Sequence, residues 1–205
     1  MLICEEKREL FYIFTIMIKT FFAVSDWAYR HAKPGYIAVL LLLMAVFNVL
    51  VFPAYINQIV PDGGPAVLDV RFGFSADDAY DILRAYGEEG RGKYLQMIAL
   101  ADTIYPLVYG LLLIFLASFF LKRITTASGE FRIVNLLAVD AVFFDFLENM
   151  GIMYMILRFP VRADFVAGMT SVFNILKYVM VLLAVILVVT SMIIFLFRTI
   201  RSRKR

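Results

Sequence analysis

Four apolar runs constrain this chain more than any other feature: 36–55, 95–121, 134–157 and 171–197. Each is long enough to cross roughly 30 Å of hydrocarbon at about 1.5 Å per helical residue. Inside a bilayer no water meets unpaired backbone groups, so such runs fold as helices whose hydrogen bonds close within the segment. The expected fold is an all-α integral membrane protein whose four-helix transmembrane bundle occupies 34–197. An amphipathic segment, 1–33, precedes the bundle and a basic tail, 198–205, follows it. A mean hydropathy of +0.83 lies far outside the range of soluble domains.

The flanks of the runs give a direction. Arg198, Arg201, Arg203, Lys204 and Arg205 form a tail with no acid, which assigns it to the cytoplasm. Counting back through four spans puts loop 122–133, with Lys122, Arg123 and Arg132, on the same side, together with the N-terminus. Loop 56–94 then faces out, with seven acids against Arg71, Arg84, Arg91 and Lys93. Inside segments hold thirteen Lys and Arg, outside segments six. The expected location is the plasma (inner) membrane with both ends cytoplasmic. The formal charge of +3 follows from this segregation and points to no nucleic-acid partner.

Residues 10–24 are apolar but short, and Lys19 interrupts them. Arg8, Tyr12, Thr15, Lys19, Asp26 and Arg30 recur at helical spacing and leave a face of Phe11, Phe14, Ile18, Phe21 and Phe22. That pattern predicts an amphipathic helix in the inner interface, with Trp27 and Tyr29 at headgroup level. The competing reading is a fifth span. No small-residue cleavage site follows the run, so a signal peptide is not expected.

The outer loop carries its own helix signal. Ser75-Ala76-Asp77-Asp78 reads as a capping box opening a short helix through Tyr86, and Gly87 is placed to end it. Tyr80 and Leu83 share its apolar face, which is expected to lie across the outer mouth of the bundle. Residues 88–93, with Gly90 and Gly92, read as the turn into the second span.

Polar residues are costly in hydrocarbon, so those inside the spans are the informative ones. The second span carries Asp102, Tyr105 and Tyr109 on one face. The third carries Asp140, then Asp145, Glu148 and Asn149 within about 100° of arc. The fourth carries Asn174, Lys177 and Tyr178, and the first only Asn48. Asp102, Lys177 and Asn48 lie about 9–11 Å below the outer ends of their helices, Glu148 about 14 Å and Asp145 about 18 Å. Asp102, Tyr105, Tyr109, Asp145, Glu148, Asn149, Asn174 and Lys177 are therefore the candidate ligand- or ion-binding set, with Asp140 separate. Pro106 adds to it: proline cannot donate to the carbonyl four residues earlier, that of Asp102, and should leave that oxygen free. Three carboxylates face one lysine, and leaving two ionised and unpaired there costs several kcal/mol each. A proton or a ligand is expected to accompany them.

Several chemistries are excluded. One cysteine, Cys4, supplies neither an intrachain disulfide nor a CxxC pair. One histidine, His31, cannot build a di-iron or zinc cluster. No metal site and no cofactor is expected. The second span lacks a CDP-alcohol phosphotransferase motif, and Asp140-x4-Asp145-x2-Glu148-Asn149 does not match the aspartate pairs of prenyltransferases. Four helices with buried carboxylates are shared in outline with membrane sterol isomerases, whose motifs are absent. Alternating-access transport ordinarily uses two repeats, and none is visible.

Three readings follow. The first is a binding or accessory protein that takes a lipid-like ligand or a cation. The second is an intramembrane enzyme with Glu148 or Asp102 as acid and base and Lys177 holding negative charge. The third is a small proton- or cation-coupled carrier. Expected partners are membrane lipids, a small hydrophobic or cationic ligand, and further copies or a larger membrane complex.

Overall fold

The computed structural model describes residues 2–125 and 130–203, and every secondary-structure element among them is helical. The elements are α1 (Leu2–His31), α2 (Pro34–Val46), a π-helical turn (Phe47–Val51), α3 (Phe52–Ile59), α4 (Ala76–Ala85), α5 (Gly87–Ile124), α6 (Leu137–Arg158) and α7 (Asp164–Arg203). Short 3₁₀ turns lie at Leu68–Val70 and Glu130–Leu136. Three helical stretches are long and apolar enough to cross a membrane: Pro34–Ile59, Gly87–Ile124 and Asp164–Ser202. The protein is membrane-embedded on that basis. The run expected as the third span folds as α6, whose Asp140, Asp145 and Glu148 keep it out of that apolar set.

Pro53 does not end the first apolar helix. Proline lacks the N–H that an α-helical turn needs, and the backbone widens into a π turn over Phe47–Val51, with Phe52 N–H donating to Phe47 O. The helix then continues to Ile59. Residues 88–93 also depart from expectation, forming the first turns of α5 rather than a connecting turn. Glu88 and Glu89 favour a helix N-terminus. Gly90 serves packing: a Cβ there would sit 2.7 Å from the Ile59 carbonyl oxygen.

α5 is the central element and packs against every other long helix. In its most apolar stretch 56% of residues are buried, against 6% for 34–59 and 17% for α7. α6 lies against α5 and α7, and contact with α7 is close at Gly151, where a Cβ would fall 1.9 Å from Thr170 Oγ1. Small residues at such crossings let helix backbones approach, the usual means of packing in lipid.

The capping box forms as the sequence indicates. Asp78 N–H donates to Ser75 Oγ at 3.0 Å, and Ser75 N–H to Asp78 Oδ2 at 3.1 Å. α4 buries Ala79, Tyr80, Ile82 and Leu83 against the bundle, and Gly87 leaves it at φ +65°. Arg162 clasps this helix to the α6–α7 connection through Asp77 at 2.6 Å and Asp164 at 2.9 Å.

At the opposite end, α1 runs unbroken to His31. Its middle is exposed at Ile16, Ile18, Phe21 and Val24, while Ser25, Ala28 and Ala32 are buried. Phe11 and Phe14 lie outside the residues whose side chains are described. Trp27 is 40% exposed, but Tyr29 is 9% exposed and packs on Ala117, Leu121 and Val188, so it is not a headgroup anchor. A buried chain from Ser25 Oγ to Asn135 to Ser118 Oγ, at 2.8 Å per bond, ties α1 to α5. Lys122 Nζ caps α1 through the carbonyls of Tyr29 and Ala32.

Candidate ligand-binding site

A cavity of about 490 Å³ opens beside α5 in the half of the bundle nearer α4. That volume is within the range of small-molecule pockets. The helix 34–59 packs against α5 rather than α7, and the cavity fills the cleft between them. Its two ends differ. Toward α4 it meets Asp69, Asp102, Asp145 and Lys177; toward the other end it is walled by Met44, Leu112, Leu113, Val181 and Val185. Asp102 and Leu113 are separated by about 16 Å along α5.

The eight candidate residues converge, in two layers. Asp102, Tyr105, Tyr109, Asp145 and Lys177 line the cavity, whereas Glu148, Asn149 and Asn174 stand behind them. Asp140 is exposed and apart, as its register implied. Behind the cavity wall, Lys177 Nζ lies 2.6 Å from Glu148 Oε2 in an ion pair. Asn174 Nδ2 donates to Glu148 Oε1 at 2.8 Å. Glu148 is fully buried, so this pair holds α6 to α7 with its carboxylate behind the cavity wall that Lys177 lines.

Asn149 performs the task that Pro106 creates. Its Nδ2 donates to the Asp102 carbonyl oxygen at 3.0 Å and reaches Asp145 Oδ1 at 3.4 Å. Two acceptors at one end of the amide fix which end is nitrogen. Tyr109 OH donates to the other oxygen of Asp145 at 2.8 Å. Asp145 is thus held at both oxygens. Asp102 differs: its side chain is 5% exposed and its Oδ2 has no partner, in a cavity wall where unmet polar atoms are costly. Asn149 Oδ1 is also unpartnered.

The aromatic side of the cavity comes from two elements. Tyr105 meets Phe52 edge-on at 4.9 Å, Phe47 at 5.6 Å and Tyr109 at 5.5 Å between ring centres. Tyr105 OH accepts from Asn48 Nδ2 at 2.9 Å, and the same amide nitrogen donates to Met44 O at 2.8 Å. The π turn therefore orients Asn48 across the cleft, a role for which such turns recur at functional sites.

Asp69 is the site residue that the sequence reading missed. It lies in the loop before α4, which turns inward rather than covering the mouth from outside. Tyr94 OH donates to Asp69 Oδ1 at 2.8 Å, while Lys177 Nζ and Tyr178 OH donate to its backbone oxygen at 3.2 and 2.9 Å. Asn174 Oδ1 accepts from Gly73 N–H and Ser171 Oγ from Phe74 N–H. Four residues on one face of α7 thus hold loop 69–74. The available signal was the apolar set Val67, Leu68, Val70, Phe72 and Phe74 around one acid, unusual for a loop in water.

Among the described residues no three His, Cys, Asp or Glu side chains are placed to hold a metal ion. The chain matches no protein-family model, no curated protein and no solved structure.

Proposed function

We propose that this protein crosses the membrane four times and binds a lipid-soluble amphiphile in the cleft between its first and last spans. The spans are 34–59, α5, α6 and α7. α6 qualifies because Asp145, Glu148 and Asn149 in its middle are buried while Phe143, Met150, Tyr154 and Leu157 are exposed, and exposed Asp140 lies in its first turn. Its 22 residues measure about 33 Å. The basic tail and loop 122–133 support an orientation with the termini in the cytoplasm, α4 and the cavity's polar end toward the outside, and α1 along the inner interface.

One observation carries the binding reading. A carboxylate with an unpartnered oxygen, Asp102, is buried at the polar end of a cavity whose other end is apolar. An accessory protein whose polar groups only specify packing would have them satisfied by one another, as Glu148, Asn174 and Lys177 are. Those three are occupied with each other and with loop 69–74, which also leaves Lys177 no free role toward an anionic substrate.

The test is lipid retention. The protein is purified, and its bound lipids are compared by mass spectrometry with those of Leu113→Trp and Val181→Trp, which fill the apolar end. A defined molecule kept by the wild type and lost from both variants is expected. An identical bulk-lipid profile in all three would overturn the reading.

A further inference from the structure

The ligand's head group can be taken further, on the basis of the pocket reading above. We infer that the cavity selects a cationic amphiphile, an aliphatic amine on an apolar body, with its ammonium against Asp102 and the ring faces of Tyr105 and Tyr109.

Charge comes first. Asp69, Asp102 and Asp145 border the cavity, and the one cation there, Lys177, is 2.6 Å from the fourth carboxylate, Glu148. Lys177 spends its remaining reach on the Asp69 backbone oxygen. The cavity therefore presents an excess of carboxylate with no free side-chain cation. Asp145 is hydrogen-bonded by Tyr109 and Asn149, and Asp69 by Tyr94. Asp102, which lines the cavity, has a buried oxygen without a partner, Oδ2. An ammonium carries only donors, which is what such an acceptor lacks.

Shape comes second. With no set of three ligating side chains among the described residues, the arrangement does not match a divalent ion. It has instead an aromatic side, in which Tyr105 stands beside Phe52 and Tyr109, and cations are attracted to such ring faces when water is excluded. From that polar end the cavity continues along α5 to Leu112 and Leu113 and along α7 to Val181 and Val185, space for an apolar body and no further polar group. Its position between 34–59 and α7 gives a lipid-borne molecule a sideways entry.

The experiment uses the full chain in nanodiscs of digalactosyldiacylglycerol, a lipid with neither charge nor amine. Equilibrium binding of tritiated N,N-dimethylhexadecylamine is compared with that of tritiated hexadecanol, which has the same chain and a neutral head. The wild type is expected to bind the amine at least tenfold more tightly than the alcohol. Asp102→Asn should reduce that preference to near unity while leaving alcohol binding unchanged. Tyr105→Leu should lower amine affinity severalfold and leave the alcohol's alone. Equal affinities in the wild type, or a preference that survives Asp102→Asn, overturn the cationic head group while the pocket stands. Failure of the wild type to bind either probe removes the pocket reading as well. If Asp102→Asn does not fold, the wild-type ratio and Tyr105→Leu still decide.

Discussion

Asn149 and Pro106 should be energetically coupled, although they lie on different helices and are not bonded to each other. Asn149 Nδ2 occupies the place of the backbone donor that Pro106 removed from Asp102 O. In Asn149→Ala that carbonyl is buried without a partner, a loss of about 1–3 kcal/mol in protein interiors. Interhelical hydrogen bonds measured in lipid are smaller, about 0.6 on average and up to about 1.7 kcal/mol, because the unfolded chain in the membrane also finds partners. Adding the void left by the amide gives about 2 kcal/mol for Asn149→Ala. In a Pro106→Ala background the new N–H meets Asp102 O, and only the void and the weak contact to Asp145 are lost, about 1 kcal/mol. The coupling energy is therefore expected near 1 kcal/mol, with the double variant less destabilised than the sum of the two single variants. The four proteins are unfolded reversibly by SDS in mixed micelles, followed by circular dichroism. Additivity within about 0.3 kcal/mol, or coupling of opposite sign, would refute the substitution of Asn149 for the missing donor.

Three further outcomes can be checked. Gly151→Ala forces a Cβ against Thr170 and should cost about 1–3 kcal/mol in the same unfolding assay; Thr170→Ala in that background should recover most of it, and no recovery would place the strain elsewhere. The Ser75 hydroxyl, then its N–H, hold the carboxyl of exposed Asp78 below its ordinary 3.8. Because the folded value is the depressed one, the box contributes fully above about 3.8 and is lost as pH falls through the lower folded value. Amide protection in α4 should decline over that acid range in the wild type, and Ser75→Ala should lower it at neutral pH and flatten the pH dependence. Cysteines placed at Ser75 and Ser202 in a Cys4→Ser background should react with an impermeant maleimide from opposite faces of the membrane; labelling from one face sinks the four-span arrangement.

The helical class and the converging polar residues were legible because apolar length and helical register act locally. Asp102, Asp145, Lys177 and the others were chosen from shared helix faces and common depth, since residues at one level on packed helices have few places to go. The freed carbonyl of Asp102 was readable from Pro106, but not its partner, which depends on how α6 is rotated against α5. One local reading failed for a tertiary reason, and one local signal misleads. Glycines at 90 and 92 resemble a turn, yet Gly90 is there so that α5 can pass the end of α3. Pro53 resembles a stop, yet the helix absorbs it by widening over Phe47–Val51. Asp69 was hidden because a loop's inward course is set by donors on a distant helix, Lys177 and Tyr178, about a hundred residues later.

The cleft between 34–59 and α7 has a consequence for how this protein behaves outside its membrane. With α7 not closing it, the proposed binding site is bounded on one side by whatever solvent surrounds the bundle, so acyl chains would complete it in a bilayer and detergent in a micelle. Detergent would then compete with an amphiphilic ligand of the kind proposed. Occupancy should follow the chain length of the surrounding amphiphile as well as the concentration of the ligand, and the site is a joint property of the helices and their medium.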